Sequence, residues 1–125
     1  MEKKAIFTEN APMFIGPYSQ GIITGDLVYV SGQIPIDPKT GEMKLNIEES
    51  TKQVLENIQA VLAEAQLTLD DVVKTTVFLT DLDDFKRMNA VYETFFTKPY
   101  PARSTVAVKD LPKGSILEIE CVART

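Results

Sequence analysis

Between residues 46 and 65, apolar side chains return every three or four positions, at Val54, Ile58, Val61, Leu62 and Ala65. Lys52, Glu56, Gln59 and Glu64 fall between them. A period near 3.6 puts those apolar positions on one stripe, and the spacing predicts an amphipathic helix. Asn46 can cap its first turn, and Glu48 and Glu49 complement the positive end of its dipole. A second stripe, formed by Phe85, Met88, Val91, Tyr92 and Phe95, predicts a helix opened by Asp83 and Asp84 and running through Phe96. Pro99 and Pro101 end it and force an extended approach to whatever follows.

Elsewhere the pattern is that of strands. Residues 21–24 and 27–34 read as a pair joined around Gly25-Asp26, and Asp37-Pro38-Lys39-Thr40-Gly41 reads as a turn. Residues 72–79 form a β-branched run with Thr75 and Thr76 inside it. Residues 103–108 and 116–123 are the last two strands, separated by Leu111-Pro112-Lys113-Gly114. Residues 1–20 are irregular, punctuated by Pro12 and Gly16-Pro17, with room for a short N-terminal strand. The order is β-β-α-β-α-β-β. It predicts an α+β fold with right-handed crossovers, a mixed sheet and two helices on one face. No repeat, linker or low-complexity tract divides the chain, so residues 1–125 are expected to form one domain. Two helices cover only one face of such a sheet. Val28, Val30, Val77, Val106 and Val122 argue against a wholly polar open face, so a homo-oligomer with packed sheet faces is expected. A monomer with a partly polar open face is the alternative.

Composition narrows the chemistry. Of the 125 residues, 44% are hydrophobic and 25% charged, which suits a globular domain rather than disorder. No apolar run approaches the roughly 20 residues of a membrane span, and the first residues lack a secretory pattern, so a cytoplasmic location is expected. The chain has no histidine, which excludes Ser-His-Asp and Cys-His catalysis and imidazole zinc sites. Cys121 is the single cysteine, reads as a small core residue, and leaves no intramolecular disulfide or cysteine-rich metal site. Acid–base work therefore falls to carboxylates, Tyr, Lys, backbone groups or the substrate. A net charge of −5 disfavours nucleic acid, whose binding rests on neutralising phosphates.

The last strand carries the clearest chemical signal. Alternation places Leu117, Ile119, Cys121 and Ala123 on one face, and Glu118, Glu120, Val122 and Arg124 on the other. Two carboxylates on one face of a central strand must be solvated or line a polar cleft. Arg103, at a strand start after Pro101-Ala102, offers a planar fork for a ligand carboxylate. An internal salt bridge from Arg103 to Glu118 or Glu120 accounts equally well for the pattern. The rigid turn Gly16-Pro17-Tyr18 presents an aromatic ring that either walls a pocket or packs in a loop. Ser31-Gly32-Gln33 ends a strand where glycine permits close approach by a ligand. Asn89 either satisfies loop backbone groups or lies on the helix surface.

In order and spacing, Glu9-Asn10-Ala11-Pro12, Ile15-Gly16-Pro17-Tyr18-Ser19-Gln20, Ser31-Gly32-Gln33-Ile34-Pro35, Val73-Lys74-Thr75-Thr76-Val77-Phe78, Asp84-Phe85 with Asn89, Pro101-Ala102-Arg103-Ser104 and Ile116-Leu117-Glu118-Ile119-Glu120 resemble the RidA (YjgF-type) family of reactive-intermediate deaminases. The resemblance spans nearly the whole chain. It implies a chorismate-mutase-like fold, a homotrimer with sites between subunits, and no cofactor or metal. It also implies hydrolysis of 2-aminoacrylate, 2-iminopropanoate and 2-iminobutanoate to 2-keto acids and ammonia. The acidic balance and the lack of a long apolar run lead us to expect no nucleic-acid or membrane partner. By position, Arg103 would clamp the substrate carboxylate and Glu118, rather than Glu120, would hold the attacking water. Tyr18, Ser31, Gly32 and Thr105 would line the pocket, supported by Phe85 and Asn89. Thr105 departs from the family, many members of which carry Cys there. The other functional class compatible with such a pocket is a regulatory module that binds a 2-keto acid without turnover; RNA cleavage or client binding, roles attributed to some relatives, is a third, and the acidic balance argues against RNA.

Overall fold

The computed structural model describes residues 2–125 and bears out the predicted order of elements, with a strand added at the N-terminus. β1 (Lys3–Ile6) pairs antiparallel with β2 (Gly21–Thr24), so part of the segment read as irregular is an edge strand. β3 (Leu27–Gln33) follows across the Gly25-Asp26 turn, and Gly25 adopts a φ of 59° there. α1 (Ile47–Glu64) is capped by the Asn46 carboxamide, which accepts from the amides of Glu48 and Glu49. β4 (Val72–Leu79), α2 (Phe85–Phe95), β5 (Ala102–Ala107) and β6 (Leu117–Arg124) complete the chain. The boundaries shift from the sequence pattern by a residue or so, where end residues lose their ladder partners.

The six strands form one sheet in the order β1-β2-β3-β6-β4-β5. β6 is antiparallel to both β3 and β4, whereas β4 and β5 run parallel, with α2 carrying the chain between them. The core fills the space between the sheet and its helices. Val54, Leu55, Ile58, Val61 and Leu62 of α1 and Met88 and Tyr92 of α2 belong to one cluster with Leu117, Ile119, Cys121 and Ala123 of β6. The alternation predicted for β6 is therefore observed.

The valines divide differently from the expectation. Val28, Val30 and Val77 are buried in that cluster and lie on its face of the sheet, so they say nothing about the open face. Register puts them there: Val28 and Val30 pair with Ala123 and Cys121, and Val77 pairs with Ile119, all core-facing residues. Val106 and Val122 do lie on the other face. Cross-strand rows there run Tyr29-Val122-Lys74, Glu120-Thr76-Ser104 and Glu118-Phe78-Val106. Tyr29 and Val106 are exposed, and Phe78 and Val122 are half-buried, so the open face mixes apolar and charged groups.

Candidate active site

Arg103 and Glu118 sit on opposite faces of the sheet. Arg103 pairs with Thr75, which pairs in turn with Cys121, so Arg103 shares the helix-covered face. Glu118 pairs with Phe78 on the open face. Two strand spacings and three residues along the strand separate them, roughly 14 Å between Cα positions. The internal salt bridge that the sequence allowed is absent, because opposite parity aims the two side chains apart. Within one chain the predicted residues fall into two groups.

The first group surrounds Arg103 at the β5 edge. Phe85 and Asn89 stand four residues apart on α2 and so present to one side of the helix. The Asn89 carboxamide oxygen accepts from Arg103 Nη1 at 2.6 Å. The guanidinium carbon lies 5.4 Å from the Phe85 ring centroid and 4.8 Å from that of Tyr92. These aromatic faces stabilise the cation while leaving most of its donors unused. Tyr92 is pinned by a 2.7 Å hydrogen bond between its hydroxyl and buried Thr75 Oγ1. Burial pushes the Tyr92 phenol above its ordinary value, outweighing the opposing influence of Thr75 and Arg103. Thr105 lies two residues beyond Arg103 on the same face, half-buried, in register with Val77. Asn89, Tyr92, Glu93, Tyr100, Pro101 and Arg103 line a cleft of about 380 Å³. Among the described residues, Arg103 forms no ion pair with any carboxylate.

The second group surrounds Glu118. The β3–β6 register slips between Val30 and Gln33: three steps along β3 match two along β6. This bulge carries Ser31 and Gly32, and such irregularities recur where a strand must re-aim side chains at a site. A Cβ placed on Gly32 would collide with the Glu118 carboxylate, 2.7 Å from its Cδ. Only glycine lets Glu118 lie against the bulge. Burial, followed by the like charge of Glu120, raises the Glu118 carboxyl above the usual carboxylate value. Ser31 ties the bulge to the preceding loop: its hydroxyl donates to the Ser19 carbonyl at 2.6 Å, and its amide donates to the Gln20 carbonyl at 2.9 Å. Gly16, at φ 139°, makes the turn that presents Tyr18 to the same cleft, and burial raises the Tyr18 phenol.

Several supporting residues carry little signal in the sequence. Gln20 is buried, and its carboxamide accepts from the Thr8 amide at 2.7 Å while donating toward the carbonyls of Thr8, Ala11 and Pro12. It holds the loop that carries Tyr18. Its only signal was a polar residue just before a strand, which elsewhere means a solvated turn. The stripe pattern by itself makes Tyr92 one apolar member of the second helix. A Tyr there, with Thr75 inside a β-branched strand, was the available clue.

The fold has close counterparts among known proteins. A family model described as Endoribonuclease L-PSP matches residues 8–125. A RutC family protein of Pyrococcus abyssi is 55% identical over 124 residues, 98% of each chain. A Salmonella typhimurium protein named 2-iminobutanoate/2-iminopropanoate deaminase is 51% identical over 123 residues, 96% of each. The crystal structure of Escherichia coli TdcF with bound serine superposes with a TM-score of 0.93 at 46% identity, covering 98% of each chain.

Proposed function

The chain belongs to the Endoribonuclease L-PSP family, which includes the YjgF and RidA proteins, and on that premise we propose that it hydrolyses small enamine and imine intermediates to 2-keto acids and ammonia. The observation that carries this reading is Arg103. Its guanidinium is oriented by Asn89 and two aromatic rings and neutralised by no carboxylate among the described residues. Such a cation suits bidentate capture of a small carboxylate. The half-identical relative named as a deaminase supports the same substrate class, as does the serine bound by TdcF.

The second catalytic group is Glu118, taken from a neighbouring subunit. A three-carbon substrate cannot reach both residues within one chain, given their opposite faces. A homotrimer with sites between subunits, as the family resemblance implies, brings the Arg103 cleft of one copy to the Glu118 cleft of the next. The mixed open face, with Tyr29 and Val106 exposed, supports association of copies.

The reaction needs little machinery. An enamine first gains a proton at its terminal carbon to become the iminium form. With the carboxylate held by Arg103, a water held by Glu118 about 3 Å from the imine carbon gains from proximity alone. As the C–O bond forms, Glu118 accepts the water's proton and the C=N pair moves to nitrogen. Glu118 then returns that proton to nitrogen; as the C–N bond breaks and ammonia leaves, Glu118 takes the hydroxyl proton and the oxygen closes to the ketone. A carboxyl raised above its usual range is a better base for this step than an ordinary glutamate. Ser31, Gly32 and Tyr18 order the Glu118 side; Phe85, Asn89 and Thr105 order the Arg103 side.

The test couples the purified protein to a serine/threonine dehydratase and follows release of pyruvate or 2-ketobutyrate. Acceleration is expected, and a folded Arg103→Ala variant should lose it by at least about a hundredfold. Full acceleration by that variant would overturn the assignment. Binding of 2-ketobutyrate with no acceleration by the unmodified protein would favour a regulatory role.

A further inference from the structure

We propose that the Glu118 half-site contains a preformed apolar subsite, walled by Phe14, Met13 and Pro112, for a bulky hydrocarbon side chain on the imine. The inference rests on the deaminase reading and specifies its preferred substrates: imines with four or more side-chain carbons over 2-iminopropanoate.

The cleft beside Glu118 has a volume of about 680 Å³ and is lined by Met13, Phe14, Ile15, Tyr18, Ile34 and Pro112, together with Ser31, Gly32 and Lys113. Among the described residues, Glu118 and Lys113 are its only acidic or basic side chains. A methyl group would leave nearly all of this wall in contact with water. Apolar groups this accessible beside a catalytic carboxylate suit a hydrocarbon ligand.

The wall is also held in place before any ligand arrives. Phe14 packs against Tyr18 with ring centroids 6.0 Å apart and planes tilted by 52°. From the other side the Lys113 ammonium lies 5.6 Å from the Phe14 centroid. Lys113 reaches it from a left-handed backbone conformation, φ 57°, uncommon for a residue with a side chain. Ser115 braces that turn, both its amide and its hydroxyl donating to the Pro112 carbonyl, at 3.1 and 2.8 Å. Gln20 fixes the approach to Phe14 through the Pro12 carbonyl. Lys113 thus sits at the rim over one ring and leaves the wall of Met13, Phe14 and Pro112 itself apolar.

The experiment releases imines from alanine, leucine and glutamate with amino-acid oxidases and reads kcat/KM from suppression of semicarbazone formation. The leucine-derived imine should exceed the alanine-derived one by about tenfold or more. Phe14→Ala should cut that ratio several-fold, and Phe14→Leu should retain most of it. A ratio near one, a ratio indifferent to Phe14→Ala, or a preference for the glutamate-derived imine would overturn the subsite. Calorimetric binding of 4-methyl-2-oxopentanoate and pyruvate is measured alongside, and separates the two claims. If no imine is turned over, the deaminase reading fails, yet tighter binding of the larger keto acid, weakened by Phe14→Ala, still supports the subsite. Equal binding of the two acids contradicts it.

Discussion

Glu118 is held where ionisation is costly, and this has consequences in two directions. Its carboxyl is raised in the folded chain by burial and by Glu120. Between the ordinary carboxylate value and that raised value, the folded state binds more protons than the unfolded one. Stability contributed by Glu118 therefore falls as pH rises through this window. Glu118→Gln removes the penalty, so its melting temperature at neutral pH should equal or exceed that of the unmodified protein while deaminase activity is lost. A clear drop in melting temperature would contradict this account of Glu118. In the active protein, the acid limb of kcat/KM should move down in Glu120→Gln, which removes the like charge beside Glu118. Gly32→Ala acts on the same carboxylate by steric means. Because the colliding atoms are the end of a flexible side chain, the carboxylate should swing away. Activity should fall more than tenfold with a small stability change; retention of both would show that Glu118 need not lie against the bulge.

At the scale of elements, local chemistry was legible and long-range satisfaction was not. The Asn46 cap, the α1 stripe and the alternation of β6 follow from period and propensity, and each is observed. The β3 bulge left no mark in the pattern, since Ser31 and Gly32 continue an acceptable strand until their partners on β6 are known. Gln20 is similar: its four hydrogen bonds reach back 8–12 residues, a span no local window captures. Truncating it leaves a buried amide and several carbonyls unpaired. Gln20→Ala should destabilise the chain by about 2–4 kcal/mol, seen as a lower urea midpoint. A midpoint unchanged within error would show that water replaces the carboxamide at no cost.

At the scale of the molecule, the sequence placed Arg103 and Glu118 in one site, yet register sends them to opposite faces. Parity along each strand was readable from alternation. The relative parity of β5 and β6 depends on β4 between them, which no single-strand pattern supplies. The same gap explains Val28, Val30 and Val77, which the strand pattern leaves free to face either way and which lie in the core. The proposed site, divided between two faces, makes subunit pairing a condition of activity. The direct measurement mixes two inactive variants, Arg103→Ala and Glu118→Gln, by co-expression in equal amounts, with mixed oligomers verified by native mass spectrometry. If each site takes Arg103 from one copy and Glu118 from its neighbour, random assembly leaves about one site in four intact. The account predicts recovery of roughly a quarter of the unmodified activity, and mixed oligomers as inactive as either parent would contradict it.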